Sequence, residues 1–217
     1  MMQVILQALP YLLRGTLVTL QIAFFSSLLG FIGGTILGFV HSSKNFFLRS
    51  FATVYVTLFR GTPMLIQIPF FYYLLPTLGI ELSLFATAII AIGLNSTAYI
   101  SQIVRSGIAS VAKGQKEAAH VLGLTHWQTM RFIIFPQAIR IIIPALLNEF
   151  ITLIKDSSLA STIGVVELFK EGTIIISRTY AVIPIYCAIA AIYLILTTLL
   201  SLLATTVERK MNYHARH

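Results

Sequence analysis

Glu149 lies inside the apolar run 132–154, and Asp156 follows just past its end. An ionisable side chain within a bilayer costs about 2.5–3.5 kcal/mol on insertion scales, so it marks a functional candidate by default. The i, i+7 spacing of these two carboxylates puts them on nearly one helix face. Asn148, Thr152 and Lys155 form a neighbouring polar edge. Upstream, Asn95, Tyr99 and Gln102 recur at helical spacing and make a second polar stripe. Two facing polar stripes can line a water-filled path, and the chemistry they offer is recognition rather than bond making. A carboxylate in such a path wants a cation or a free helix N-terminus; a cationic group wants an acid or carbonyls. Glu149 suits a cationic group. The other reading pairs Glu149 with Arg140 or a nearby backbone group in a structural role. Lys155 and Asp156 are adjacent and point apart. They fit an outer gate or a solvated interface pair.

A second constellation sits on the polar loop 105–131: Glu117-Ala118-Ala119, then Gly123, followed by Ile133 and Pro136. The spacing predicts a short helix from Lys116 to Leu122, entered by a turn at Lys113-Gly114. Glu117 near its start suits the helix dipole and can meet a partner arginine. Ala118 and Ala119 keep the surface flat for another backbone. Gly123 can take the left-handed conformation that ends a helix. Thr125, His126, Trp127 and Gln128 form a polar-aromatic second turn. Two readings fit: a docking site for a separate cytoplasmic engine, or an amphipathic connector on the membrane surface.

The elements that must carry these residues are membrane spans. Of 217 residues, 57% are hydrophobic and 10% charged, and the mean hydropathy is +0.89. Uncharged apolar runs of about 20 residues mark spanning helices. The runs are continuous rather than alternating, which excludes a porin-like barrel. The expectation is an all-α, polytopic membrane protein forming one transmembrane domain over 1–217. Its five spans are 15–40, 51–75, 82–104, 132–154 and 179–207, the second interrupted by Arg60-Gly61-Thr62-Pro63.

Positive charge sets orientation. Lys44 and Arg49 follow span one. Arg105, Lys113, Lys116 and Arg131 face Glu117 alone after span three, and Arg209, Lys210 and Arg216 face Glu208 in the tail. On the opposite side stand Glu81 and a long loop where Lys155, Lys170 and Arg178 balance Asp156, Glu167 and Glu171. The N-terminus is therefore expected outside and the C-terminus in the cytoplasm. The net charge of +8 reads as loop charge, not as a nucleic-acid surface. No removable signal peptide is expected, because the N-terminal stretch lacks a basic n-region and a small-residue cleavage site.

Arg60 can line an inner vestibule, cap carbonyls freed by Pro63, or snorkel to the headgroups. Ser26, Gly30, Gly34 and Gly38 recur every four residues and read as a close-packing stripe. Cys187 reads as a small core residue. His41, His120, His126, His214 and His217 show no metal spacing, so no metal site is expected. There is no nucleophile–base constellation and no Gly-x-x-x-x-Gly-Lys-Ser/Thr phosphate loop. No catalytic residue is assigned, and the chain is not expected to be an enzyme by itself.

Glu117-Ala118-Ala119, Gly123, Ile133 and Pro136 resemble the "EAA" signature of the permease subunits of ABC importers, with Phe135 where the family usually has leucine. Phe59-Arg60-Gly61-Thr62-Pro63 with Gln67 is similar to the second-span motif of the polar amino acid branch. Gly93-Leu94-Asn95-Ser96 with Ala98-Tyr99-Ile100 resembles its third span. Leu153 to Leu159, Ile163-Gly164-Val165 and Glu167-Leu168 resemble its fourth. The resemblance covers roughly residues 15–207. It implies a type I importer permease in the bacterial cytoplasmic (inner) membrane, two such subunits forming a homo- or heterodimeric pore. It also implies two cytoplasmic ATPases, which bind ATP and Mg and grip the Glu117 loop, and an extracytoplasmic binding protein that delivers an amino acid. No cofactor is expected on this chain. Glu149 favours a basic amino acid; glutamine or another polar amino acid is the alternative. A passive channel or secondary transporter is more distant, because five spans without an inverted repeat argue against it.

Overall fold

The computed structural model describes residues 2–41, 43 and 45–213. Lys44, His214, Arg216 and His217, named above, lie outside them. The described chain is all helical. In order it runs α1 (Met2–His41), α2 (Phe46–Gly61), α3 (Met64–Thr77), α4 (Leu84–Ala109), α5 (Lys113–Val121) and α6 (His126–Gln128). A π-helical turn (Thr129–Ile134), α7 (Phe135–Asp156), a 3-10 segment (Ser157–Ile163), α8 (Leu168–Thr179) and α9 (Val182–Tyr213) complete it. Four of the described helical stretches are long and apolar enough to cross a membrane: Gln3–His41, Leu84–Ala109, His126–Ile163 and Val182–Met211.

The second expected span is split. The 16 residues of α2 and the 14 of α3 reach about 24 and 21 Å at 1.5 Å per residue, each short of a ~30 Å hydrocarbon core. Pro63 lacks an amide hydrogen and pushes Thr62 to extended φ/ψ. Helix therefore stops at Gly61 and restarts at Met64.

Span one begins earlier than expected. Arg14 is exposed and does not stop α1, because Ala8 and Leu12 are buried against Leu168, Ile185 and Ile189. The last expected span begins later. Thr179 ends α8, Tyr180 takes a left-handed φ of 57°, and α9 starts at Val182. Cys187 is exposed rather than in the core. In a span where every face is apolar, hydropathy cannot distinguish lipid from core.

α1 lies along α4 through the small-residue stripe. Ser26 Oγ donates to the Ile89 carbonyl at 3.3 Å. A Cβ added at Gly34 would stand 2.7 Å from Ile100 Cβ and 3.0 Å from the Thr97 carbonyl. Gly34→Val is therefore expected to push α1 off α4 and to cost at least about 1–3 kcal/mol, the usual range for overpacking. A lowered thermal midpoint of the detergent-solubilised chain checks this; an unchanged midpoint refutes the packing role.

Glu167 is fully buried, not a solvated loop charge. Its carboxylate caps α8, accepting from the Phe169 and Lys170 amides at 2.9 and 2.8 Å. It also accepts from the Tyr193 hydroxyl at 3.2 Å and the Thr19 hydroxyl at 3.3 Å. Burial pushes this carboxyl upward, while the two amides and two hydroxyls oppose the shift. One side chain thus ties α8 to α1 and α9. Sequence reading missed it because an acidic residue between apolar runs looks like surface.

Candidate functional site

The Glu117 loop is ordered and helical. α5 begins at Lys113, so Lys113-Gly114 belongs to the helix rather than to an entry turn. Gly123 ends this segment with φ of 74°. Its amide bonds the His120 carbonyl at 3.0 Å, and the Leu124 amide bonds the Ala119 carbonyl at 3.1 Å. This is the double closure of a glycine-terminated helix. Thr125 and Gln128 then form a reciprocal capping box around α6.

The two alanines divide the work. Ala119 is buried and α5 packs on the π turn, so its small size serves this chain. Ala118 and Glu117 are exposed; so are Val121 and Leu122 at the end of α5 and Trp127 on α6, at 87%, 76% and 69%. A short segment that leaves an acid and large apolar side chains bare offers a surface to a partner protein.

α5 is fastened to α7. Gln137 Nε2 donates to the Ile133 carbonyl at 2.8 Å and to Gln115 Oε1 at 3.4 Å. The π turn between them has a local cause. Proline at position 136 cannot donate to the carbonyl four residues back, and its ring crowds that turn. The Phe135 amide instead reaches the Met130 carbonyl. Ile134, Ala138 and Ile142 seat this corner against Val104, Ile108 and Val111.

About 21 Å along α7 from Phe135, at 1.5 Å per residue, stands Glu149. Ser96 Oγ of α4 donates to Glu149 Oε1 at 3.2 Å. Arg60 and Asp156 are the other charges within electrostatic reach. Asp156 is half-buried at the end of α7, and Lys155 is exposed.

The α4 stripe divides into three settings. Asn95 is buried; its Nδ2 donates to Gln67 Oε1 at 2.9 Å and to the Phe59 carbonyl at 3.1 Å. Tyr99 is 38% exposed, with the Arg60 guanidinium 5.1 Å from its ring centroid, a cation–π arrangement. Gln102 Nε2 lies 3.2 Å from His41 Nδ1, facing α1.

Gln67 and Asn95 close the backbone opened by Pro63. Gln67 Nε2 donates to the Phe59 carbonyl at 2.9 Å, the Thr62 carbonyl at 3.0 Å and Thr62 Oγ1 at 2.6 Å. Freed carbonyls inside a membrane need such partners. With this task taken, the Arg60 side chain lies over Tyr99 instead. The signal for Arg60 and Gln67 as site residues was the arginine and glutamine flanking a helix-breaking Gly-Thr-Pro. Gln67→Leu is expected to orphan the Thr62 carbonyl and half of the Asn95 amide, at about 1–3 kcal/mol for each group left unpaired. A thermal melt of the purified chain measures this, and a melt matching wild type would refute the role of Gln67 in closing the Pro63 break.

These features define a helical membrane protein with an exposed short helix at one end of α7 and a polar centre further along it. The chain belongs to the family described as binding-protein-dependent transport system inner membrane component, which matches residues 30–213: it is a permease subunit of an ABC transporter and not an enzyme by itself. The glutamine transport system permease GlnP of Escherichia coli (strain K12) is 37% identical over 206 residues, covering 94% of each chain. The probable amino-acid ABC transporter permease YckA of Bacillus subtilis (strain 168) is 40% identical over 209 residues, covering 96% of this chain and 92% of YckA. A solved amino acid ABC transporter, crystallised with histidines, superposes with a TM-score of 0.91 at 37% identity, covering 95% of this chain and 96% of that one. The inward-facing methionine transporter MetNI shares the fold, with a TM-score of 0.77 at 22% identity.

Proposed function

We propose that this chain forms the pore of an ATP-driven importer of polar amino acids, with a preference for basic ones. The observation that carries it is Glu149 within electrostatic reach of Arg60, whose guanidinium lies over Tyr99 at the break in the second span. Opposite charges there suit the two ends of a zwitterion. Arg60 meets the α-carboxylate, helped by the N-terminus of α3, which Pro63 leaves without a side-chain cap. Glu149 takes the ammonium or a cationic side-chain tip, Ser96 holds it in place, and Asp156 adds negative charge toward the outer end. Glutamine is the second reading, supported by the likeness to the glutamine transport system permeases GlnP.

In this proposal α2 and α3 together make one broken crossing, giving five spans in a single domain with the N-terminus outside and the C-terminus in the cytoplasm of a bacterial inner membrane. A second permease subunit completes the pore. An ATPase pair, carrying ATP and Mg, grips α5. An extracytoplasmic binding protein delivers the amino acid. ATP binding draws the α5 helices together, and the Gln115–Gln137 and Ala119 contacts pass that displacement to α7, which carries Glu149. The test is ATPase activity in proteoliposomes with the neighbouring ATPase and binding protein. Stimulation by arginine, lysine or histidine supports the basic preference. Stimulation by glutamine alone keeps the importer and overturns that preference, and no association with any ATPase overturns both.

A further inference from the structure

A groove of about 920 Å³ lies between α1, α2 and α4. Phe25, Ile32, Val40, Leu48, Ile90 and Leu94 are among its lining residues. Its two polar walls are spent: the Tyr55 hydroxyl donates to the Leu94 carbonyl at 2.8 Å, and Thr97 Oγ1 to the Gly93 carbonyl at 2.9 Å. From Phe25 to Val40 it runs about 22 Å at 1.5 Å per residue, the reach of one extended acyl chain.

Cations gather at the Val40–Leu48 end. Arg105 Nη1 lies 3.2 Å from Nε2 of buried His41, and Arg49 is within electrostatic reach of the same imidazole. No Asp or Glu occurs in residues 1–80 or 82–116. The three helices that build the groove therefore contain no carboxylate to balance these arginines. We infer that the groove holds an anionic phospholipid, its phosphate between Arg49 and Arg105 and an acyl chain along the trough. Basic pockets between spanning helices are where anionic headgroups bind. The orientation proposed above decides only which leaflet supplies the lipid; the binding itself does not depend on transport.

Native mass spectrometry of the full chain, extracted with its complex into detergent, tests this with phosphatidylglycerol and phosphatidylcholine of matched acyl chains. Wild type is expected to retain phosphatidylglycerol preferentially. Arg49→Ala and Arg105→Ala should each lower that preference about five-fold, one basic residue's contribution near a membrane surface. Ile90→Trp should fill the trough and lose both lipids; Ala86→Leu is the milder filling variant should Ile90→Trp fail to fold. Equal retention of the two lipids by wild type, or unchanged retention in the filled variants, overturns the inference. So does disulfide formation between Ile90→Cys chains in a Cys187→Ser background, which would place a second copy over the groove.

Discussion

Glu117→Lys is expected to abolish substrate-stimulated ATP hydrolysis and uptake while the chain still inserts and folds. Glu117 is exposed on α5, so no packing is lost when it changes. Val121 and Leu122 at the end of α5 and Trp127 on α6 also stand open, so a partner docking here would desolvate this surface. A carboxylate there gains a charge-assisted bond worth about 1.5–3 kcal/mol. Lysine replaces that attraction with a like-charge contact, which costs several kcal/mol more at a desolvated interface. Glu117→Gln should fall between, because it loses the charge without reversing it. Parallel assays of uptake, ATPase stimulation and membrane insertion separate coupling from folding. Normal uptake by Glu117→Lys would remove Glu117 from the docking surface.

The fold was legible where a local rule decides it. Gly123 was expected to end a helix and adopts φ of 74°; Gly30, Gly34 and Gly38 were expected to allow close helix contact and meet α4. The all-helical architecture was legible in composition and continuous apolar runs, and the family in the resemblance of four motifs in order. What the sequence did not reveal depends on partners distant along the chain. Glu167 looked like loop charge because nothing nearby says that Thr19 and Tyr193 converge on it. Asn95, Tyr99 and Gln102 share a helical period, yet their neighbours differ: Gln67, Arg60 and His41. Period fixes a direction around the helix axis, not what stands there. The π turn was invisible too, because Pro136 signals disruption without saying whether the preceding turn breaks or widens.

Glu149→Gln should weaken stimulation by a cationic amino acid by about ten- to a hundred-fold in apparent affinity, and by a neutral one by far less. Glutamine keeps the shape and an oxygen that can still accept from Ser96 Oγ, the 3.2 Å contact made by the carboxylate. The substitution therefore isolates charge from packing. The loss follows from one charge-assisted contact of about 1.5–3 kcal/mol, with 1.4 kcal/mol for each factor of ten. A neutral amino acid still presents its α-ammonium, so some loss is expected for both substrates if Glu149 reads that group. A larger loss for arginine, lysine or histidine places the side-chain tip at Glu149. The measurement is ATPase stimulation in proteoliposomes across a concentration series of each amino acid with saturating binding protein. Equal loss for cationic and neutral substrates would assign Glu149 to the α-ammonium or to structure, and a thermal melt divides those two. A melt lowered along with activity points to the α4–α7 contact, whereas an unchanged melt leaves the α-ammonium.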